Sequence, residues 1–133
     1  MRIHQSLRQQ ILLKVGDFVK ETKIVSQKDL DKFAAITGDF NPIHNSDKSI
    51  VHGAFLNGLT AGIIGTKLPG PGTILLSQNL KFPSKCYVND PIEITVELME
   101  VRKIIKAKYK CEQNGIVVFL GEANLIMDKE ANK

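Results

Sequence analysis

Asp39 and His44 stand five residues apart, on either side of the turn-forming pair Asn41-Pro42, in the stretch TGDFNPIHNSDKSIVHG from Thr37 to Gly53. A carboxylate and an imidazole held near one another can position a water and take a proton from it, which is general acid–base chemistry. Pro42 restricts the turn, so both side chains can sit on one side of it with little entropy to lose. Gly53 begins an apolar run that reads as a helix, and the first N–H groups of a helix have no partner within it. Such donors can hold the oxygen on which charge collects when a carbonyl compound is attacked. The plainer reading makes Asp39 bind its own backbone in a turn, Asn41 and Pro42 ordinary turn residues, and His44 and His52 bonded core histidines.

The flanking elements must position this loop. FVKETKIV alternates well enough to be a first strand. SQKDLDKFAAITG is a helix, with Ser26 as cap, Asp29 completing a capping box and Gly38 ending it. Leu30, Phe33, Ala34 and Thr37 form one of its faces at helical spacing. After the loop, VHGAFLNGLTAGIIGTKLPGPG is apolar almost all round and stops at Pro69-Gly70-Pro71-Gly72. Its small residues Gly53, Ala54, Gly58, Ala61, Gly62 and Gly65 would weaken a helix unless something lies close against it. A helix buried all round in so short a chain has to be wrapped by a sheet.

Four more strand-like runs follow: TILLSQNLKF, PIEITVELMEVRKI, IKAKYKCEQ and GIVVFLGEANLIM. PSKCYVNDP bridges the first two, and Gln113-Asn114-Gly115 offers a tight hairpin between the last two. The expected architecture is α+β: a curled antiparallel sheet wrapped around a central apolar helix, which is a hot-dog fold. Residues 15–133 would form one such domain, preceded by an N-terminal segment over residues 1–14.

Composition narrows the function classes. The chain has 133 residues, 43% hydrophobic and 24% charged, as in an ordinary single globular domain. Its net charge of +4 would favour anionic partners such as a phosphate-bearing carrier. Nucleic acid is not expected, because aromatics are only 6%, Trp is absent and no nucleic-acid motif occurs. Cys86 and Cys111 fit no metal spacing, and both read as reduced core thiols within strand-like runs. No run is long enough to span a membrane, so no membrane insertion is expected. MRIHQSLRQQILLKVG carries Arg2, Arg8 and Lys14 and no acid, as a short mitochondrial targeting segment does; a frayed terminus accounts for it nearly as well.

GDFNPIH followed by IVHG resembles the signature of the MaoC-like, or R-specific enoyl-CoA hydratase 2, family of hot-dog enzymes. LNGLTAGIIGTKLPGPGTILLSQNLKFPSKCYVND is also similar to that family, and within it to the mitochondrial hydroxyacyl-thioester dehydratases. The resemblance runs from about Val15 almost to the C-terminus. It implies reversible hydration of a trans-2-enoyl thioester to the R-3-hydroxyacyl thioester, in fatty acid synthesis, without metal or other cofactor. It assigns Asp39 and His44 to holding and activating the water, and the Gly53 N–H to the thioester carbonyl. Asn41 and Pro42 would shape the loop, and His52 would touch substrate or serve the structure. The implied partners are an acyl-CoA or acyl-carrier-protein thioester and a second copy of the chain, in the mitochondrial matrix or otherwise the cytoplasm.

Two departures from the family stand out. Only NSDKS separates His44 from Ile50, where the family carries a longer stretch that helps form the acyl-binding region. A Ser often found in the central helix aligns with Ala61. An acyl-thioester-binding protein without turnover, through that shortened loop, is therefore the alternative function. A hot-dog thioesterase ranks third.

Overall fold

The computed structural model describes residues 12–128, so the expected segment over residues 1–14 lies almost wholly outside it. The chain runs through β1 (Phe18–Lys23), α1 (Gln27–Thr37), a 3-10 turn (Pro42–His44), α2 (Gly53–Thr66), β2 (Thr73–Lys81), β3 (Ile92–Val101), β4 (Ile105–Gln113) and β5 (Ile116–Met127). α1 begins and ends where its sequence directs. Ser26 Oγ accepts from the Asp29 N–H at 3.2 Å, and the Asp29 carboxylate accepts from the Ser26 N–H at 3.0 Å. Gly38 closes it at φ 78°, in the left-handed region, with its N–H on the Ala34 carbonyl. Leu30 and Ala34 are buried beneath it and Phe33 is half-buried, whereas Thr37 stays at the surface.

The five strands form one antiparallel sheet in the order β1-β3-β4-β5-β2. Asn114 and Gly115, at φ 53° and 76°, make the two-residue link between β4 and β5 that the sequence predicts. Short links lock β3, β4 and β5 side by side, leaving only outer edges for β1 and β2. Hence β2 does not pair with β3, its successor in sequence, but lies along β5. Register shifts leave an extra residue in β2, β3 and β5, at Leu76, Met99 and Val118, and such bulges bend a strand. At Gly121 the backbone passes under the Tyr109 ring, where a Cβ would come within 2.0 Å of Cε2.

Inward residues of β3 (Ile92, Ile94, Val96, Leu98) and β4 (Ile105, Ala107, Tyr109, Cys111) build the core. α2 lies across them, burying Leu56, Thr60, Ile63 and Ile64. This helix is not buried all round, contrary to its composition. Ala54, Gly58, Ala61, Gly62 and Gly65 are exposed, and a Cβ built at Gly58, Gly62 or Gly65 meets nothing within 4 Å. The small residues permit a close neighbour, but the described residues of this chain supply none.

Cys86 sits in the connection between β2 and β3 rather than in a strand. Both cysteines are unpaired and buried. Burial pushes the thiol of Cys86 up to about 11 and that of Cys111 up to about 12. The thiolate is the reactive form, so native protein near pH 8 should resist alkylation by iodoacetamide at both sites, while denatured protein reacts at both. Peptide mass spectrometry after timed labelling checks this; rapid native labelling of Cys86 or Cys111 would contradict it.

Candidate active site

Gly38 turns the chain out of α1, and each following residue is fixed by a short-range bond. The Asp39 N–H donates to Thr37 Oγ1 at 3.2 Å, and the Asn41 N–H to Asp39 Oδ1 at 3.3 Å. Asn41 Oδ1 in turn accepts from the Ile43 N–H at 3.3 Å, capping the 3-10 turn that Pro42 opens. Asn41 and Pro42 thus carry Asp39 to His44 across one rigid turn. The short NSDKS segment closes on itself: Ser49 Oγ accepts from the Ser46 N–H at 3.0 Å and donates to the Ser46 carbonyl at 2.8 Å.

His44 is held at three points. Its carbonyl accepts from Gln27 Nε2 at 2.8 Å, its ring stacks on His52 with centroids 3.6 Å apart, and its Nδ1 lies 2.5 Å from the Ile50 carbonyl. A carbonyl oxygen can only accept, so Nδ1 carries the proton. In the neutral ring the lone pair is then on Nε2, the atom that lies 3.9 Å from Asp39 Oδ2. That separation is too long for a direct hydrogen bond, yet one water set to the side of the line between them can lie about 2.8 Å from each atom and bridge both. The His44 side chain is 10% exposed and that of Asp39 is 50% exposed, so the pair opens outward through its carboxylate. The helix-flanked loop therefore shelters the imidazole and leaves the acid in contact with solvent.

His52 is 1% exposed, closed in between the stacked His44 and the edge of Phe33, whose centroid is 4.7 Å away. Its Nε2 donates to the Asp39 carbonyl at 3.3 Å, and its Nδ1 is buried without a partner. Of the two roles set out from sequence, this geometry is that of a platform under Asp39 and His44. Asp39, His44 and His52 lie close enough to suggest a metal. However, lone pairs lie in the ring planes, and rings stacked at 22° direct them nearly parallel rather than onto one ion. His52 Nε2 also spends its proton on the Asp39 carbonyl. The arrangement suits proton transfer through water.

His52 caps α2 without a side-chain bond, and the next residue, Gly53, has no acceptor for its N–H among the described residues. An unpaired donor at a helix N-terminus is suited to a developing negative charge. A Cβ at Gly53 would come within 2.7 Å of the Phe82 ring, so glycine lets that ring lie over the helix start.

Sequence reasoning missed Gln27, Phe33 and the Ile50 carbonyl. Helical spacing puts Phe33 on a packing face but does not reveal His52 as its partner. Gln27 acts from 17 residues away, and a backbone carbonyl such as that of Ile50 carries no residue-type signal.

The MaoC like domain family matches residues 9–118 of this chain. The 3-hydroxybutyryl-CoA dehydratase of Methylorubrum extorquens is 36% identical over 81% of this chain and 76% of its own length. The mitochondrial 3-hydroxyacyl-[acyl-carrier-protein] dehydratase of Arabidopsis thaliana is 32% identical over 96% of this chain and 85% of its own. Among solved structures, the (R)-hydratase from A. caviae involved in PHA biosynthesis aligns with a TM-score of 0.82 at 30% identity, covering 87% of this chain and 98% of that one. The fold shared with these relatives is the hot-dog fold expected from sequence.

Gly53→Ala should cost about 1–3 kcal/mol in denaturant unfolding, because the new methyl must displace the Phe82 ring. In a Phe82→Ala background the same substitution should cost clearly less. Equal costs in both backgrounds would mean that the ring does not set the requirement for glycine.

Proposed function

The chain belongs to the MaoC-like family, and from that premise we propose that it is a hydro-lyase adding water reversibly to trans-2-enoyl thioesters. The product is the R-3-hydroxyacyl thioester, and the setting is fatty acid synthesis. The observation that carries this reading is the 3.9 Å separation of Asp39 Oδ2 and His44 Nε2, which one water can span. Asp39 accepts one O–H of that water and orients its oxygen. His44 Nε2 takes the other proton as the oxygen bonds to C3 of the enoyl group. Electrons shift through C2 to the thioester carbonyl, whose oxygen accepts from the Gly53 N–H. The proton returns to C2, so one water is consumed and no charge remains. The separation also supports turnover over binding alone, since the shortened loop has not carried His44 out of reach of Asp39.

The carriers are acyl-CoA or acyl carrier protein, both anionic and suited to a net charge of +4. The Arabidopsis relative is named mitochondrial, which favours the matrix for this chain. We take a homodimer as the working form. β2 is an edge strand exposing Ile74, Leu75 and Leu76, and α2 presents an open small-residue face. Apolar edge strands are normally paired or covered.

Asp39→Asn and His44→Ala should each lower kcat for an enoyl-thioester substrate on the order of 100-fold or more. Asp39→Asn should melt near the parent, and His44→Ala, which also removes the ring stacked on His52, should stay folded but melt lower. A variant that kept most of the activity would remove that residue from its assigned role. Leu75→Arg should convert the dimer to a monomer in light scattering on a sizing column. An unmodified chain that ran at its monomer mass of 14.8 kDa would overturn the dimer.

A further inference from the structure

We propose that Gln113, at the end of β4 and outside the loop, is a positioning residue for His44. The inference rests on the reading of His44 as the base. Gln113 occupies an inward place in the alternation of β4 and is almost fully buried. A buried amide must find partners, and this one finds three. Its Nε2 donates to the Tyr87 carbonyl at 2.8 Å and to the Asp90 carbonyl at 3.1 Å, and its Oε1 accepts from the Tyr87 N–H at 2.8 Å. Both polar groups of the Tyr87 backbone are therefore held as a neighbouring strand would hold them.

Tyr87 passes that constraint on. It forms an isolated antiparallel bridge with Ile50. The Val51 N–H donates to the Cys86 carbonyl at 2.8 Å, and the Val88 N–H to the Ser49 carbonyl at 3.1 Å. The Ile50 carbonyl, set between these two bonds, is the acceptor of His44 Nδ1–H. Of the remaining ties, Ile50 N–H to the Ile43 carbonyl and the paired bonds of Ser46 and Ser49 fix the loop to itself, and Gln27 of α1 holds the His44 carbonyl. Gln113 is what fixes the Ile50 acceptor to the sheet. Without the Gln113 amide, Tyr87 and with it the Ile50 carbonyl can shift. The reason to keep the proton on Nδ1 then weakens, and a ring protonated on Nε2 presents no lone pair to the water.

The test uses Gln113→Met, close in size but without hydrogen-bonding capacity. Histidine ring 15N spectra of unliganded protein report the tautomer of His44. The chain has only three histidines, and His44→Ala assigns the signal. The parent should show His44 protonated on Nδ1, and Gln113→Met a mixture with the Nε2–H form. For an enoyl thioester, kcat should fall on the order of 10- to 100-fold with KM little changed, as for a displaced catalytic group. Val96→Ala, in the core of β3, serves as a control for lost stability and should keep the parent tautomer. Gln113→Glu keeps an acceptor for the Tyr87 N–H and loses at least one of the two donated bonds; it gives the same readouts should the Met variant not fold. A folded Gln113 variant with the parent tautomer and kcat, altered only in melting temperature, would overturn the proposal. A parent protein without turnover would count against the enzymatic reading alone, because the spectra decide the tautomer without substrate.

Discussion

An imidazole can act as a base only from a nitrogen whose lone pair is unspent. Here a single bond, from His44 Nδ1 to the Ile50 carbonyl, decides which nitrogen that is. Much of the local structure exists to place its two ends. Asn41 and Pro42 bring His44 around the turn, Gln27 fixes its backbone, and His52 supports the face of its ring. Ser46 and Ser49 close the short segment that returns the chain to Ile50. With Nδ1 committed, Nε2 lies 3.9 Å from Asp39 Oδ2, where one water set beside the pair can reach both.

The brevity of that segment has a consequence. A longer excursion between His44 and Ile50 would need its own packing to hold the acceptor steady, because loop residues are costly to order. Five residues closed by one serine need little, and Ser49 is the one member of the five that is buried. The same economy leaves Asp39 half-exposed. In the proposed dimer, a second copy would cover the open face of α2 and the β2 edge and dry the surroundings of the thioester without altering the base.

Caps and tight turns are legible in the sequence, because their bonds close within a few residues, whereas Thr37, placed by helical spacing on a packed face, is exposed. Ser26 with Asp29, Gly38 after Thr37, and Asn114-Gly115 between two alternating runs each satisfy their bonds within a few residues, so the sequence spells them out. The loop motif brought Asp39 and His44 together for the same reason. What the sequence concealed depends on distant partners. The apolar character of α2 pointed to burial on every side, yet Ala54, Gly58 and Ala61 face outward, because composition does not say which chain supplies the neighbour. The place of β2 on the far edge follows from how tightly β3, β4 and β5 are linked, not from β2 itself. Cys86 reads as a strand residue but lies in the connection between β2 and β3, where it joins the core beside the isolated Ile50–Tyr87 bridge. Gln113 read as part of a hairpin, although the period of β4 already directs it inward, where an amide has to be bonded.

The most direct measurement is hydration of crotonyl-CoA by the purified, unmodified protein, followed at the enoyl-thioester absorbance with the product resolved by chirality. The account predicts loss of that absorbance with R-3-hydroxybutyryl-CoA as product. No turnover of crotonyl-CoA, of longer enoyl-CoA chains or of enoyl carrier-protein substrates would contradict it, as would formation of the S product.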